Sequence, residues 1–336
     1  MVFWSGWRRW GARVRRRKFI TLVAAAVVRP SGVRAQQDEK LRTVGILTPH
    51  LQDPAHGRFF DHLRELGHED GRNVRLLLRS ADSKVERLPD LAAELVNARV
   101  DVILAIYTPG ARAAINATKE IPIVMAIVGD PVGTGLVNNL ARPGGNVTGI
   151  SNMSGELASK RLQLFKEALP LAARRIAAIF NSDDPITALQ IRDTEQTAQQ
   201  LGVEVRFFAV RSQPTLASAF KDLHAWQAQG VLWLAGQTTP FIAGTIALAT
   251  EHRLPLMVVL ASDAREGGLI SYFADHRELF KRAAVYVDKI LKGANPGDLP
   301  VEQPSKFELV INLKTAKALG ITISPAILSR ADEVIE

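Results

Sequence analysis

The chain has 336 residues, 47% of them hydrophobic, and no cysteine. Such a length can bury one large or two medium cores, and the missing cysteine excludes disulfides, thiol catalysis and a lipid anchor on an N-terminal cysteine. The formal charge of +8 does not describe a nucleic-acid binder: nine Lys and Arg lie within residues 1–35, which hold no acid, and the remainder carries 33 bases against 34 acids.

The first segment, 1–35, reads as an export signal. Its basic part ends in Arg16-Arg17-Lys18-Phe19-Ile20, a twin-arginine-like pattern, and nine mostly apolar residues follow over 20–28. Nine are too few to span a bilayer, which takes about twenty. Small residues around Val33-Arg34-Ala35 suit a signal peptidase, so a periplasmic location is expected.

Strands are expected over 43–47, 74–78, 100–107, 121–128 and 147–150. Helices over 55–66, 88–96 and from the Thr108-Pro109-Gly110 break through Ala117 fall between them. The second half repeats this rhythm, with strands over 175–180, 203–210, 231–234, 256–260 and 269–272. Its helices are expected over 156–168, 186–201 and 216–229 and in the stretch ending at His252. The apolar, β-branched runs are those of strands covered on both faces. The fold class is therefore α/β, as two doubly wound lobes of parallel sheet. A helix over 277–291, a strand over 307–311 and a helix over 315–319 complete the chain. Lobe 1 is assigned to 41–150 plus 273–300, and lobe 2 to 151–272 plus 301–336. The chain then crosses between lobes more than once, making a stiff hinge.

In open α/β sheets ligands bind beyond the carboxyl ends of the strands. Five polar loops sit there, and their convergence between two facing sheets would form a cleft. They supply Thr48; Thr108, Pro109 and Gly110; Asp130; Asn181 and Asp183; and Gln237. Asp130 follows a buried strand and is the candidate for a cationic group, although Gly129 and Pro131 also suit a plain turn aspartate. Thr108, with the backbone N–H groups at Gly110 and Ala111, could take a carboxylate or simply cap a helix. Asn181 and Asp183 are equally good turn formers.

Catalytic patterns are missing. There is no G-x-S-x-G and no phosphate loop, and Gly133-Thr134-Gly135 is followed by Asn138 where a dinucleotide fingerprint needs glycine. His50, His56, His62 and His68 recur every six residues, which does not stack them on one helical face, and they read as surface or satisfied groups. Trp226 and Trp233 read as core. No cofactor or metal is implied.

Several blocks carry a resemblance: L-P-D-L-A-A-E-L-V at 88–96, G-D-P-V-G-T-G-L-V at 129–137 and R-P-G-G-N-V-T-G at 142–149. G-G-L-I-S-Y at 267–272 and F-E-L-V-I-N-L-K-T-A-K-A-L-G at 307–320 continue it. Through them the chain resembles the ABC-transporter substrate-binding proteins with the type I periplasmic-binding fold. Their characterised relatives are linked to uptake of aromatic and related amino acids.

The resemblance implies two lobes joined by three crossovers, closing on a small molecule that is handed to membrane permease subunits, without catalysis. Carried onto this chain, it places the loops at Thr108, Asp130 and Asn181 along the cleft. Two departures bear on the ligand: Asn181-Ser182-Asp183-Asp184-Pro185 is more acidic than the family's usual N-P-N-N-P, and 261–265 lacks an aromatic before G-G-L. The expectation is a monomer that binds a small polar ligand, an amino acid or related zwitterion, and no nucleic acid. A ligand-sensing regulator of the same fold and an exported hydrolase are the alternatives.

Overall fold

A computed structural model describes residues 41–51, 55–236 and 241–336. The leader and Gln237 therefore lie outside the described residues.

The first sheet is wholly parallel, in the order β2-β1-β3-β4-β5. Its strands are β1 (Arg42–Thr48), β2 (Val74–Ser80), β3 (Val102–Ile106), β4 (Ile123–Val128) and β5 (Val147–Ser151). Every residue of β3, β4 and β5 is buried, as the uninterrupted apolar runs of β3 and β4 require when helices cover both faces. Helices α1 (His56–Glu65), α2 (Leu88–Asn97) and α3 (Tyr107–Ala117) supply that cover.

The chain then enters a second sheet through α4 (Ser154–Ala168). Strands β6 (Arg175–Phe180), β7 (Glu204–Ala209), β8 (Gly230–Trp233), β9 (Leu256–Val258) and β10 (Ile270–Ala274) alternate with helices. These are α5 (Thr187–Leu201), α6 (Gln213–Ala225), α7 (Ile242–Glu251) and the five-residue α8 (Ala261–Arg265). Helix α6 starts three residues before the expected 216, because Ser212 and Thr215 form a reciprocal cap there, and ends four before 229.

Helix α9 (His276–Leu291) leaves this sheet and packs on α1, β3, β4 and β5. The following segment stays with the first sheet, where Val301 N–H donates to Leu140 O (2.7 Å) and Glu302 N–H to Gly149 O (2.9 Å). It then returns as β11 (Phe307–Asn312), α10 (Leu313–Leu319), α11 (Pro325–Leu328) and β12 (Glu333–Ile335). The second sheet runs β12-β11-β10-β9-β8-β6-β7. One of its pairs, β10 with β11, is antiparallel, an exception that the run of strand and helix signals did not reveal.

Three short segments thus join the lobes, between β5 and α4, between β10 and α9, and before β11. The third is tied to α9 by a two-pronged ion pair, Arg282 Nε and Nη2 to Glu302 at 2.8 and 2.6 Å. The Tyr286 hydroxyl adds a bond to Pro300 O at 2.7 Å.

Candidate ligand-binding site

Between the two sheets lies a cavity of about 40 Å³. The first lobe gives it Tyr107 and Thr108 from the start of α3 and Ile127 and Gly129 from the end of β4. Asn152 and Ser154 come from the first crossing. The second lobe gives Asp184, Ile186, Trp233, Asp263 and Phe273, and His276 comes from the second crossing.

The backbone is bent to place these groups. Tyr107 opens α3 at φ +59°, and Ile127 (+57°), Asp130 (+23°) and Met153 (+56°) share that left-handed region, which non-glycine residues enter at a cost. Behind Tyr107 lie two buried imidazoles, His50 stacked on its ring at 5.2 Å and His56 tilted at 6.1 Å. Four helices, α3, α4, α5 and α9, have Tyr107, Ser154, Ile186 and His276 at their first turns. All four residues line the cavity, so the partial positive charge of four helix starts is concentrated there.

The carboxylates are what distinguish this cavity. Asp184 is 5% exposed and one oxygen accepts Ile186 N–H at 3.2 Å. Gly236 lies so close that a Cβ there would fall 2.5 Å from its Oδ2. Asp263, in the first turn of α8, accepts only two long bonds, from Leu260 N–H and the Ser262 hydroxyl, both at 3.3 Å. Burial pushes its carboxyl up to about 6, against the pull of those two donors. Among the described residues that line the cavity there is no Lys or Arg.

The sequence candidates occupy several places. Thr108 is on the wall, inside the first turn of α3 rather than at its cap, and its hydroxyl accepts Gly129 N–H at 3.0 Å. Pro109 and Gly110 are buried in the same turn; a Cβ on Gly110 would approach Leu47 O to 3.3 Å, so the helix start is pressed onto β1. The Thr48 side chain is fully buried and donates to His50 O at 2.6 Å. Asp130 does not reach the cavity: Oδ1 accepts Gly133 N–H at 2.8 Å within its own turn.

Asn181 and Asp183 line a separate groove at the rim, facing Lys84 and Glu86 of the first lobe. There Asn181 Oδ1 accepts Asp183 N–H at 2.9 Å, and Asp183 pairs with Arg211 at 3.2 Å. Gln237 belongs to the residues not described. Trp233 is core, at 2% exposure, and also forms part of the cavity wall. Sequence reading missed Tyr107, Asp184, Asp263 and His276. Asp184 stood inside a chosen loop, whose candidates were its neighbours Asn181 and Asp183, and Asp263 lay in a stretch noted only for lacking an aromatic.

The lobes touch across this cavity. A Cβ on Gly129 would fall 2.4 Å from Ser154 Oγ and 2.8 Å from Ile186 Cγ1. Only a glycine allows so close an approach.

The profile of the family described as ABC transporter substrate binding protein matches residues 45–335. This chain belongs to that family. It is 30% identical over 290 residues to a tyrosine-binding protein of Clostridioides difficile (strain R20291), covering 84% of this chain and 82% of that one. A structure of an ABC domain in complex with L-Trp from Streptococcus pneumonia superposes with a TM-score of 0.80 at 28% identity, over 88% of this chain and 99% of that one. A ligand-free, open substrate-binding protein with adhesive properties from Clostridium difficile gives 0.61 at 25% identity, over 88% and 99%. More distant type I periplasmic-binding proteins share the fold. The substrate-binding protein is thus an α/β two-sheet molecule that binds a small ligand. Among its described residues no helix is long and apolar enough to cross a membrane, and no group of three or more His, Cys, Asp or Glu could hold a metal ion.

Proposed function

We propose that this substrate-binding protein is the exported, periplasmic, non-catalytic subunit of an ABC importer, acting as a monomer that closes on an amino acid or close zwitterionic relative and presents it to permease subunits. The observation that carries this reading is the pairing, in one interlobe cavity, of two carboxylates with four helix starts. Such a wall offers opposite charges to the two ends of a zwitterion. Asp263 and Asp184, both on the wall, are assigned to the ammonium group. The starts of α3 and α4, with Thr108 and Ser154, are assigned to the carboxylate. Asp130 shapes the loop that carries Gly129 to the seam, and Asn181 and Asp183 act at the rim. The amino-acid ligands of the two relatives support the ligand class, and the better superposition on the L-Trp complex than on the open form supports capture by closure.

A thermal-shift screen tests it, because a ligand bound only by the folded state stabilises by about 2.7 kcal/mol at a hundred times its Kd. A melting point raised by roughly 5 °C or more with one or several amino acids is expected. A response to sugars or nucleosides with none to any amino acid contradicts the proposed ligand class.

A further inference from the structure

The largest buried polar side chain lies just outside the cavity. Arg161, on α4, is fully buried. It is two turns along the helix from Ser154, on the same face, and arginine side chains on a helix lean back toward its start. One nitrogen, Nη2, donates to the carbonyl of Trp233, whose residue forms part of the cavity wall. Its Nε and Nη1 are buried and have no hydrogen-bond partner among the described residues. A buried guanidinium with a single bond is costly, because the water it gave up has not been replaced. Burial pushes it down to about 9, and the charge that opposes this shift is Asp263 on the cavity wall. Arg161 salt-bridges to no acid among the described residues, and Asp263 to no base. Asp263 steadies Arg161 at a distance, whereas the cation that acts on Asp263 itself is His276 on the cavity wall.

An ammonium group arriving at Asp263 would take up the negative charge that steadies Arg161. A plain amine would therefore leave the guanidinium without a counter-charge. A ligand that brings its own carboxylate restores the balance.

We infer that Arg161 is a specificity-determining positioning residue, whose buried charge makes the site prefer an amino acid over the corresponding amine. The inference rests on the amino-acid reading above and adds the residue that enforces it. It acts through its field at Asp263 and through the Trp233 carbonyl it holds.

The test compares three amino acids with their decarboxylated amines, L-leucine with isopentylamine, L-tyrosine with tyramine and L-tryptophan with tryptamine. Binding to the full-length protein is measured by calorimetry for wild type, Arg161→Gln and Arg161→Lys. Gln keeps a donor for the Trp233 carbonyl and loses the charge; Lys keeps the charge. The expected result is that Arg161→Gln lowers the amino-acid-to-amine affinity ratio by roughly 10- to 100-fold, the span of one hydrogen bond to a charged group. Arg161→Lys should restore most of it. Equal weakening of amine and acid in both variants, which a merely structural role produces, overturns the inference while leaving the amino-acid reading intact. Amines binding as tightly as amino acids to the wild type overturns it as well. Binding of none of the six by the wild type removes the amino-acid reading and the inference with it.

Discussion

The two lobes meet the cavity with different chemistry. The first brings a phenol, an aliphatic hydroxyl and backbone at Tyr107, Thr108, Ile127 and Gly129, and no charge; the second brings both carboxylates, Asp184 and Asp263. Their loops look alike as sequence, each a short polar break after an apolar strand. In the first lobe, however, the polar side chains are committed to their own backbone. Thr48 donates to His50 O, Thr108 accepts from Gly129 N–H and Asp130 from Gly133 N–H. A rigid, neutral wall thus faces a charged one. The comparison teaches that polar loops at strand ends divide between building the frame and meeting the guest.

The largest expected effect breaks the charged side. Asp263→Asn should weaken the tightest amino acid found in the screen by about 2–5 kcal/mol, the cost of removing one partner of a buried ion pair. Asp130→Asn, its first-lobe counterpart, should change affinity by less than roughly threefold, since its carboxylate serves a turn. Calorimetry on the two variants side by side decides it; similar losses would dissolve the distinction between the lobes.

Next comes the seam. Gly129→Val would place a side chain on Ser154 and Ile186, at about 1–3 kcal/mol for an overpacked contact. That cost falls on the closed form, so affinity should drop while the ligand-free melting point holds. Small-angle scattering should show a larger radius of gyration at saturating amino acid than wild type gives.

A smaller effect follows from pH. Burial in the cavity pushes the Asp263 carboxyl up to about 6, and only its ionised form pairs with an ammonium group. Affinity should be level above about pH 7 and fall about fivefold between pH 6 and 5, and Asp263→Asn should flatten that slope. The sign for stability is opposite: a carboxyl raised from 3.8 to about 6 opposes the ligand-free fold increasingly as pH rises through that window. Asp263→Asn should therefore melt above wild type at pH 7.5 and with it below pH 4.

The smallest effect lies at the hinge. Arg282→Gln removes an ion pair that is partly exposed, with side-chain exposures of 40% and 31%. It should cost under about 1 kcal/mol in a thermal melt, less still at high salt. The Arg282 hydrogen bonds hold Glu302 below the usual glutamate range, so this contribution is present above that range and fades as pH falls through the lowered value.

Much of the frame was legible before any coordinates. The runs at Val102–Ile106 and Ile123–Val128 are buried at every position, and no surface element tolerates such a run. The direction of β11 was hidden, because pairing depends on the path of the chain between strands rather than on their composition. Helix α8 was hidden for a related reason: five residues carry too few turns for a helical period to register. With it went Asp263. In the loop after β6, Asn181, Asp183 and Asp184 are equally competent turn residues. Only the fold of the loop sends Asp184 inward, beside Gly236, and leaves Asp183 with Arg211. Position at a strand end was readable; the direction of one side chain within a turn was not.

The central claim is most directly tested by a crystal structure of the protein grown with the amino acid that stabilises it most. The account predicts that molecule between the two sheets, its ammonium nitrogen within about 3 Å of an Asp263 or Asp184 oxygen and its carboxylate against the starts of α3 and α4. A ligand seated outside the lobes, or turned so that its carboxylate faces Asp263, would contradict it.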